Sequence, residues 1–283
     1  MSGFIHWHFS DFELAGCGQT PSVELANKSG SEKGHIGPSR HWSAYNYTDI
    51  YQAYFGRIRN QVKNFCEIGL GVPGPNWTSD IAHGSNEVGG GSMRMWQEFF
   101  PNAKIHGLDI NPAKHLDNKQ VTTYRVDQSS KESLAAFKSQ TRKVKFDIIV
   151  DDGSHIADHQ QLSLSLLWER LASGGYYVIE DLNDLRPGEA RHTKHAPDKA
   201  DSTRELFKRY LATSKMGTPH NFDNLEFLSE ISYAAFHSFL CVIRPRDLLN
   251  ETIRNLAGRG GKGMLRHEYR TASAKMLVLQ KAG

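Results

Sequence analysis

Five short apolar runs in this chain each stop at an acid or a glycine turn. They read "NFCEIGLG", "KIHGLDIN", "VTTYRVD", "FDIIVDDGS" and "YYVIEDL". Runs that are apolar on both faces must be covered on both faces, as the strands of a parallel sheet are. Between them lie the helical stretches "SMRMWQEFF", "KESLAAFKSQ" and "DHQQLSLSLLWERLA". This β-α-β-α order implies an α/β fold with a doubly wound, mostly parallel sheet. Open sheets of that kind bind ligands beyond the carboxyl ends of their strands. The acids at those ends are therefore the first candidates for function.

The rest of the chain frames that core. Residues 1–43 are polar and irregular and are read as a cap. "YNYTDIYQAYFGRIRN" follows as a helix with Thr48 as its N-cap and Tyr47, Tyr51 and Phe55 in the core. Gly174 and Gly175 are expected to end the helix before the fifth strand. Beyond that strand, a polar loop carries Arg186, His192, Lys194 and His195 as a candidate lid, and Trp77 is a candidate pocket residue after the first glycine turn. "EFLSEISYAAFHSFLCVIRP" reads as an antiparallel closing pair, "RDLLNETIRNLAGRGGKG" as a helix and "AKMLVLQK" as one more strand. A net charge of +3 with no Lys/Arg block argues against a nucleic-acid binder. Cys17, Cys66 and Cys241 are too few and too widely spaced for a disulfide framework or a cysteine zinc site. No basic-then-apolar leader and no membrane-length apolar run is present, so a soluble, cytoplasmic protein is expected.

Gly69, Gly71 and Gly74 form a G-x-G-x-x-G. Pro73, Pro75 and the stretch "HGSNEVGGGS" delay the helix that a nicotinamide fingerprint requires, and the next strand-end acid comes late. The series "CEIGLG", "GLDIN", "RVDQS" resembles instead the seven-stranded S-adenosylmethionine-dependent methyltransferases. That resemblance implies a cofactor site made by Glu67, Gly69 and Gly71 at the turn, with Asp109 on the ribose hydroxyls. Asp127 would meet the adenine amine, with Gln128 beside it. The plain alternative is that Asp109 and Asp127 only cap the helices that follow.

In such a sheet the fourth strand lies beside the first and the fifth beside the fourth, roughly 4.8 Å apart. Asp151, Asp152, His155, Glu180 and Asp181 then share one small region, and carboxylates that close together need a cation. Oxygen ligands suit a hard ion such as Mg²⁺. "DDGSH" and "IEDL", with "SEKG" and "YTDIYQAYF" upstream, are similar to the metal-dependent macrolide-sugar O-methyltransferases of the mycinamicin type and to cephalosporin hydroxylase-like proteins. The resemblance implies Mg²⁺ on Asp152, Glu180 and Asp181, His155 as the base, and Asp151 nearer the cofactor. For His159 three roles stand: a further ligand, a second base, or, preferred, a solvent-bonded helix-face histidine.

The expected function is metal-dependent methyl transfer from S-adenosylmethionine to a hydroxyl of a glycoside or other polar natural product. The alternatives are nitrogen or carboxyl methylation, or a non-catalytic cofactor-binding partner. Residues 1–60 are assigned to the cap and first helix, 61–246 to the methyltransferase core, and 247–283 to an extension packed on it. That last segment would support homo-oligomer formation or complete the sheet.

Overall fold

The computed structural model describes residues 33, 47–74, 89–182, 202–237 and 276–283. Trp77, the candidate lid residues, most of the N-terminal cap and the helix expected after Pro245 lie outside them. Helix α1 is Tyr47–Phe55, followed by β1 (Asn64–Ile68), α2 (Gly91–Phe99), β2 (Lys104–Asp109), β3 (Val121–Arg125) and α3 (Lys131–Gln140). Then come β4 (Phe146–Asp151), α4 (Ala157–Leu167), β5 (Leu171–Ile179), α5 (Thr203–Thr213), β6 (Ile231–His237) and β7 (Met276–Lys281). The seven strands form one sheet in the order β3-β2-β1-β4-β5-β7-β6. The first five are parallel, while β7 runs antiparallel to both β5 and β6. Among the described residues no helix is long and apolar enough to cross a membrane.

Register aligns the strand ends. Ile68 pairs with Leu108 on one side and Asp151 on the other, and Asp151 pairs with Ile179. The ladder continues one step further through Gly69 N–H to the Leu108 carbonyl (2.8 Å), Asp152 N–H to the Ile68 carbonyl (2.9 Å) and Glu180 N–H to the Asp151 carbonyl (2.9 Å). Successive side chains on a strand point to opposite faces. Ile68, Ile149 and Ile179 therefore join the core under α3, α4 and α5, built with Leu134, Leu164 and Phe207. Phe65, Ile148, Val150 and Val178 join the other core, against Tyr51, Phe55 and Trp96 of α1 and α2. Asp151 falls on the first face. Glu67, Asp152 and Glu180 fall on the second.

Asp151 is buried in a polar knot. It accepts from Gln128 Nε2 (2.8 Å), from Ser163 Oγ of α4 (2.7 Å) and from the Gly153 N–H (3.3 Å). Gln128 Oε1 in turn accepts from the Ser154 N–H at 3.0 Å. Burial raises the Asp151 carboxyl from 3.8 to about 6, against the lowering effect of these donors.

The structure revises several local expectations. Helix α1 begins at Tyr47, so Thr48 lies inside it and does not cap it. Gly174 and Gly175 sit inside β5, where the register against β4 shifts between Phe146 and Ile148. Gly174 has φ 73°, a left-handed conformation that glycine adopts without a Cβ penalty. The helix before β5 ends at Leu167 and passes into a 3₁₀ turn, Trp168–Arg170. The antiparallel partner of β6 is β7, and β7 places residues 276–281 within the sheet. "AKMLVLQK" thus forms the further strand expected of it and completes the sheet.

Two outcomes follow. Gly69 has φ 89°, and a Cβ there would lie 2.1 Å from the Asp152 carbonyl oxygen, which is backbone. Gly69→Ala lowers the unfolding free energy by about 2 kcal/mol or more, measured by urea denaturation. The Asp151 carboxyl titrates higher in the folded chain than its ordinary 3.8. Its contribution to stability is therefore fully present below that value and is lost as pH rises through about 6. Unfolding curves from pH 4 to 6.5 show a shallower decline in Asp151→Asn than in the parent.

Candidate functional site

The carboxyl ends of β1, β4 and β5 converge on the face occupied by α1. Four carboxylates gather there: Glu67 from β1, Asp152 just past β4, and Glu180 and Asp181 just past β5. Glu67 and Glu180 are fully buried, at 0% and 1% exposure, whereas Asp152 and Asp181 are partly exposed. Two like charges about 4 Å apart repel by roughly 4 kcal/mol at an effective dielectric of about 20. The site needs positive charge and donors to hold this arrangement.

One cation comes from far away in sequence. Lys33 Nζ donates to Asp152 Oδ2 (2.6 Å) and to both oxygens of Glu180 (2.7 and 2.8 Å), and lies 3.3 Å from Glu67 Oε1. Burial disfavours the Lys33 ammonium, but Asp152, Glu180 and Glu67 together outweigh it and hold its pKa well above the usual lysine value. Helix α1 adds two hydroxyls. Tyr51 donates to Glu180 Oε1, and Tyr47 donates to Asp181 Oδ1 at 2.6 Å. Burial and the facing carboxylates raise both phenols well above 10, so they remain donors. Ser92 Oγ of α2 donates to Glu67 Oε2 at 2.6 Å. Burial still raises Glu67 and Glu180 above the ordinary carboxylate range. Three carboxylates around one ammonium remain short of positive charge.

The outer part of the cluster has a different character. Asp152, His155 and Asp181 each offer a ligand atom, all within 4.8 Å of one another. His155 Nδ1 lies 3.3 Å from Asp181 Oδ2 and makes no hydrogen bond among the described residues. His155 (φ 58°) and Asp181 (φ 45°) both adopt left-handed backbone, uncommon outside glycine although Asp and His enter it more readily than most residues. A divalent cation fits this group by charge and by donor chemistry: two carboxylate oxygens and an imidazole nitrogen with no hydrogen bond surround the point where compensation is lacking. Glu180, a ligand in the sequence reading, is not part of this group of three. Its described side-chain contacts are with Lys33 and Tyr51.

The residues assigned to the cofactor lie along the same rim. Gly69 (φ 89°) and Gly71 (φ 60°) form the turn after β1. Asp109 Oδ2 accepts from the Leu70 N–H (3.0 Å) and the Val72 N–H (3.4 Å), and Oδ1 from the Asn111 N–H (2.8 Å). The carboxylate thus fixes the glycine turn with three of its roughly four acceptor positions. Asp127 Oδ1 accepts from the backbone and hydroxyl of Ser129 at 2.9 and 2.6 Å, ahead of Ser130, which caps α3. Gln128 and Asp151 are engaged with each other and Ser163, away from the acidic cluster.

Four members of the site escaped the sequence reading: Lys33, Tyr47, Tyr51 and Ser92. Lys33 lies 119 positions from Asp152, inside the "SEKG" segment that carried part of the resemblance, but it was not assigned to the site. Tyr47 and Tyr51 occupy core positions, as expected, but their hydroxyls serve the acids; tyrosine where phenylalanine would fill the same space was the available sign. His159, expected to be solvent-bonded, pairs through Nδ1 with Ser154 Oγ at 2.8 Å.

No protein-family model matches the chain. Residues of the chain are 38% identical over 173 positions to mycinamicin VI 2''-O-methyltransferase of Micromonospora griseorubida, covering 60% of this chain and 38% of that protein. They are 38% identical over 145 positions to demethylmacrocin O-methyltransferase of Streptomyces fradiae, covering 51% and 32%. The chain therefore spans less than two fifths of the length of these relatives. Among solved structures, the methyltransferase MycE of the mycinamycin biosynthetic pathway, in complex with Mg and SAH, superposes with a TM-score of 0.59 at 27% identity. It covers 95% of this chain and 57% of its own. In sequence over about half its length and in fold over nearly all of it, the chain is similar to the S-adenosylmethionine-dependent sugar O-methyltransferases of natural-product pathways.

Proposed function

We propose that this chain carries out divalent-metal-dependent methyl transfer from S-adenosylmethionine to a hydroxyl of a glycosylated small molecule. The observation that carries the reading is the gathering of Asp152, His155 and Asp181 beside the glycine turn of β1, in a fold shared with MycE. When bound, S-adenosylmethionine supplies an electrophilic methyl carbon and the divalent ion acidifies the acceptor hydroxyl. Mg²⁺ is the ion assigned.

The chain's own residues do the rest. Gly69 and Gly71 let the backbone approach the cofactor closely, and Asp109 and Asp127 offer acceptors to its ribose hydroxyls and adenine amine. Glu67, Gln128 and Asp151 act on that site indirectly, by fixing the strand ends and loops around it. Asp152, Glu180 and Asp181 would hold the ion. His155 takes the hydroxyl proton on its imidazole. Tyr47 holds Asp181 in place beside His155. The acceptor is a hydroxylated small molecule, not a nucleic acid, and cytoplasmic biosynthesis of natural products is the setting.

Two measurements test this reading. Label from methyl-labelled S-adenosylmethionine appears in a hydroxyl-bearing macrolide glycoside, disappears with EDTA and returns with Mg²⁺; transfer that persists after thorough chelation excludes the ion from the chemistry. His155→Gln lowers kcat by about a hundredfold to ten-thousandfold while leaving the dissociation constant of S-adenosylhomocysteine unchanged. A variant with parental kcat shows that another group takes the proton.

A further inference from the structure

The group assigned to take the proton is not held by its own Nδ1. That atom makes no hydrogen bond among the described residues, and the His155 side chain is 24% exposed. The place of the ring is therefore set by the backbone on either side of it, where His155 has φ 58°. Ser154 grips both flanks. Its N–H donates to Gln128 Oε1 at 3.0 Å, and its Oγ accepts from the Ile156 N–H at 3.4 Å. Having accepted there, the hydroxyl has its own proton to give to His159 Nδ1, 2.8 Å away in the first turn of α4.

These bonds close a ring around the turn. Gln128 Nε2 donates to Asp151 Oδ1 at 2.8 Å. Ser163, one turn further along α4 than His159, donates to Asp151 Oδ2 at 2.7 Å. The tip of β4, the loop after β3 and the start of α4 are thus tied together, and His155 sits in the short span they bracket. The Ile156 N-cap of α4 makes no side-chain bond of its own, so the Ser154–His159 pair does the fastening there.

We propose that Ser154 and His159 are positioning residues for the methyl transfer. Their hydrogen bond fixes the turn from Ser154 to Ile156 and so keeps the His155 imidazole in place beside Asp181. This rests on the reading of His155 as the base and deepens it by naming what aims the ring. A misplacement of about 1 Å in such a group costs on the order of a hundredfold in rate.

The test uses variants of the full chain with methyl-labelled S-adenosylmethionine, Mg²⁺ and a hydroxyl-bearing macrolide glycoside. Ser154→Ala and His159→Phe each lower kcat by about tenfold to a hundredfold, while the acceptor KM and the dissociation constant of S-adenosylhomocysteine stay within about threefold. The double variant is no slower than the slower single one, because both remove the same link. His159→Asn, whose amide oxygen takes the place of Nδ1, restores kcat to within about threefold of the parent. In a His155→Gln background neither Ser154→Ala nor His159→Phe slows the residual rate further.

Parental kcat in Ser154→Ala and His159→Phe overturns the proposal. So does a loss that persists by the same factor in the His155→Gln background, because the pair would then act through another group. Crystal structures give a readout free of activity: in both single variants His155 leaves its left-handed conformation or its ring shifts by about 1 Å or more. An unmoved His155 in both overturns the proposal. If His159→Phe does not fold, Ser154→Ala decides by the same measurements. No methyl transfer by the parent overturns the proposed function, and the crystal comparison then decides the positioning alone. Parental kcat in His155→Gln overturns the choice of base and this proposal with it.

Discussion

Repulsion among carboxylates delivered to one place is the constraint that the other features of the site answer. Strand register brings Glu67, Asp152, Glu180 and Asp181 together, and nothing in the backbone ladder relieves their mutual cost. The relief is assembled from elsewhere. An ammonium arrives from Lys33, two phenolic donors from α1 and a hydroxyl from α2. The first helix of the described chain is therefore a component of the site as much as a wall of the core. Its aromatic rings pack on Trp96 and Phe55 while its polar tips reach the acids.

The division of labour between Asp151 and Asp152 comes from the pleat. Adjacent in sequence, they project to opposite faces. Asp151 enters a closed network with Gln128 and Ser163 that ties the end of β4 to the loop after β3 and to α4. Asp152 faces the acidic cluster. The same alternation sends Ile179 to one core and Glu180 to the other side. A single-residue slip at β4 would exchange these roles, which makes the close approach of Gly69 to the Asp152 carbonyl a register lock for the chemistry.

The strands and their acidic ends were legible because burial on both faces leaves a plain mark: runs such as "FDIIVD" admit few other readings. The glycine turn and the "DDGSH" and "ED" groups could be read for the same local reason. The place of β7 could not be, since pairing between residues this far apart leaves no trace in either segment. The "SEKG" segment was legible, but the role of Lys33 within it was not, because its partners lie 119 and 147 positions away. Gly174 and Gly175 were misjudged because glycine marks both a helix end and a strand irregularity, and only the register against β4 separates the two. The opposite facing of Asp151 and Asp152 was available from the two-residue period of a strand. It decides which of the two can share a cation with Glu180.

The seating of β7 between β5 and β6 bears on how the molecule is made. In sequence β7 follows β6 after residues 238–275, yet among the described strands β6 joins the sheet only through it. At roughly 5–20 residues per second of synthesis, a ribosome that has delivered β6 is still seconds from delivering the strand that seats it. Until then β5, which carries Glu180 and Asp181 at its tip, is a bare edge, and nascent chains in that interval are the ones a chaperone would have to shield.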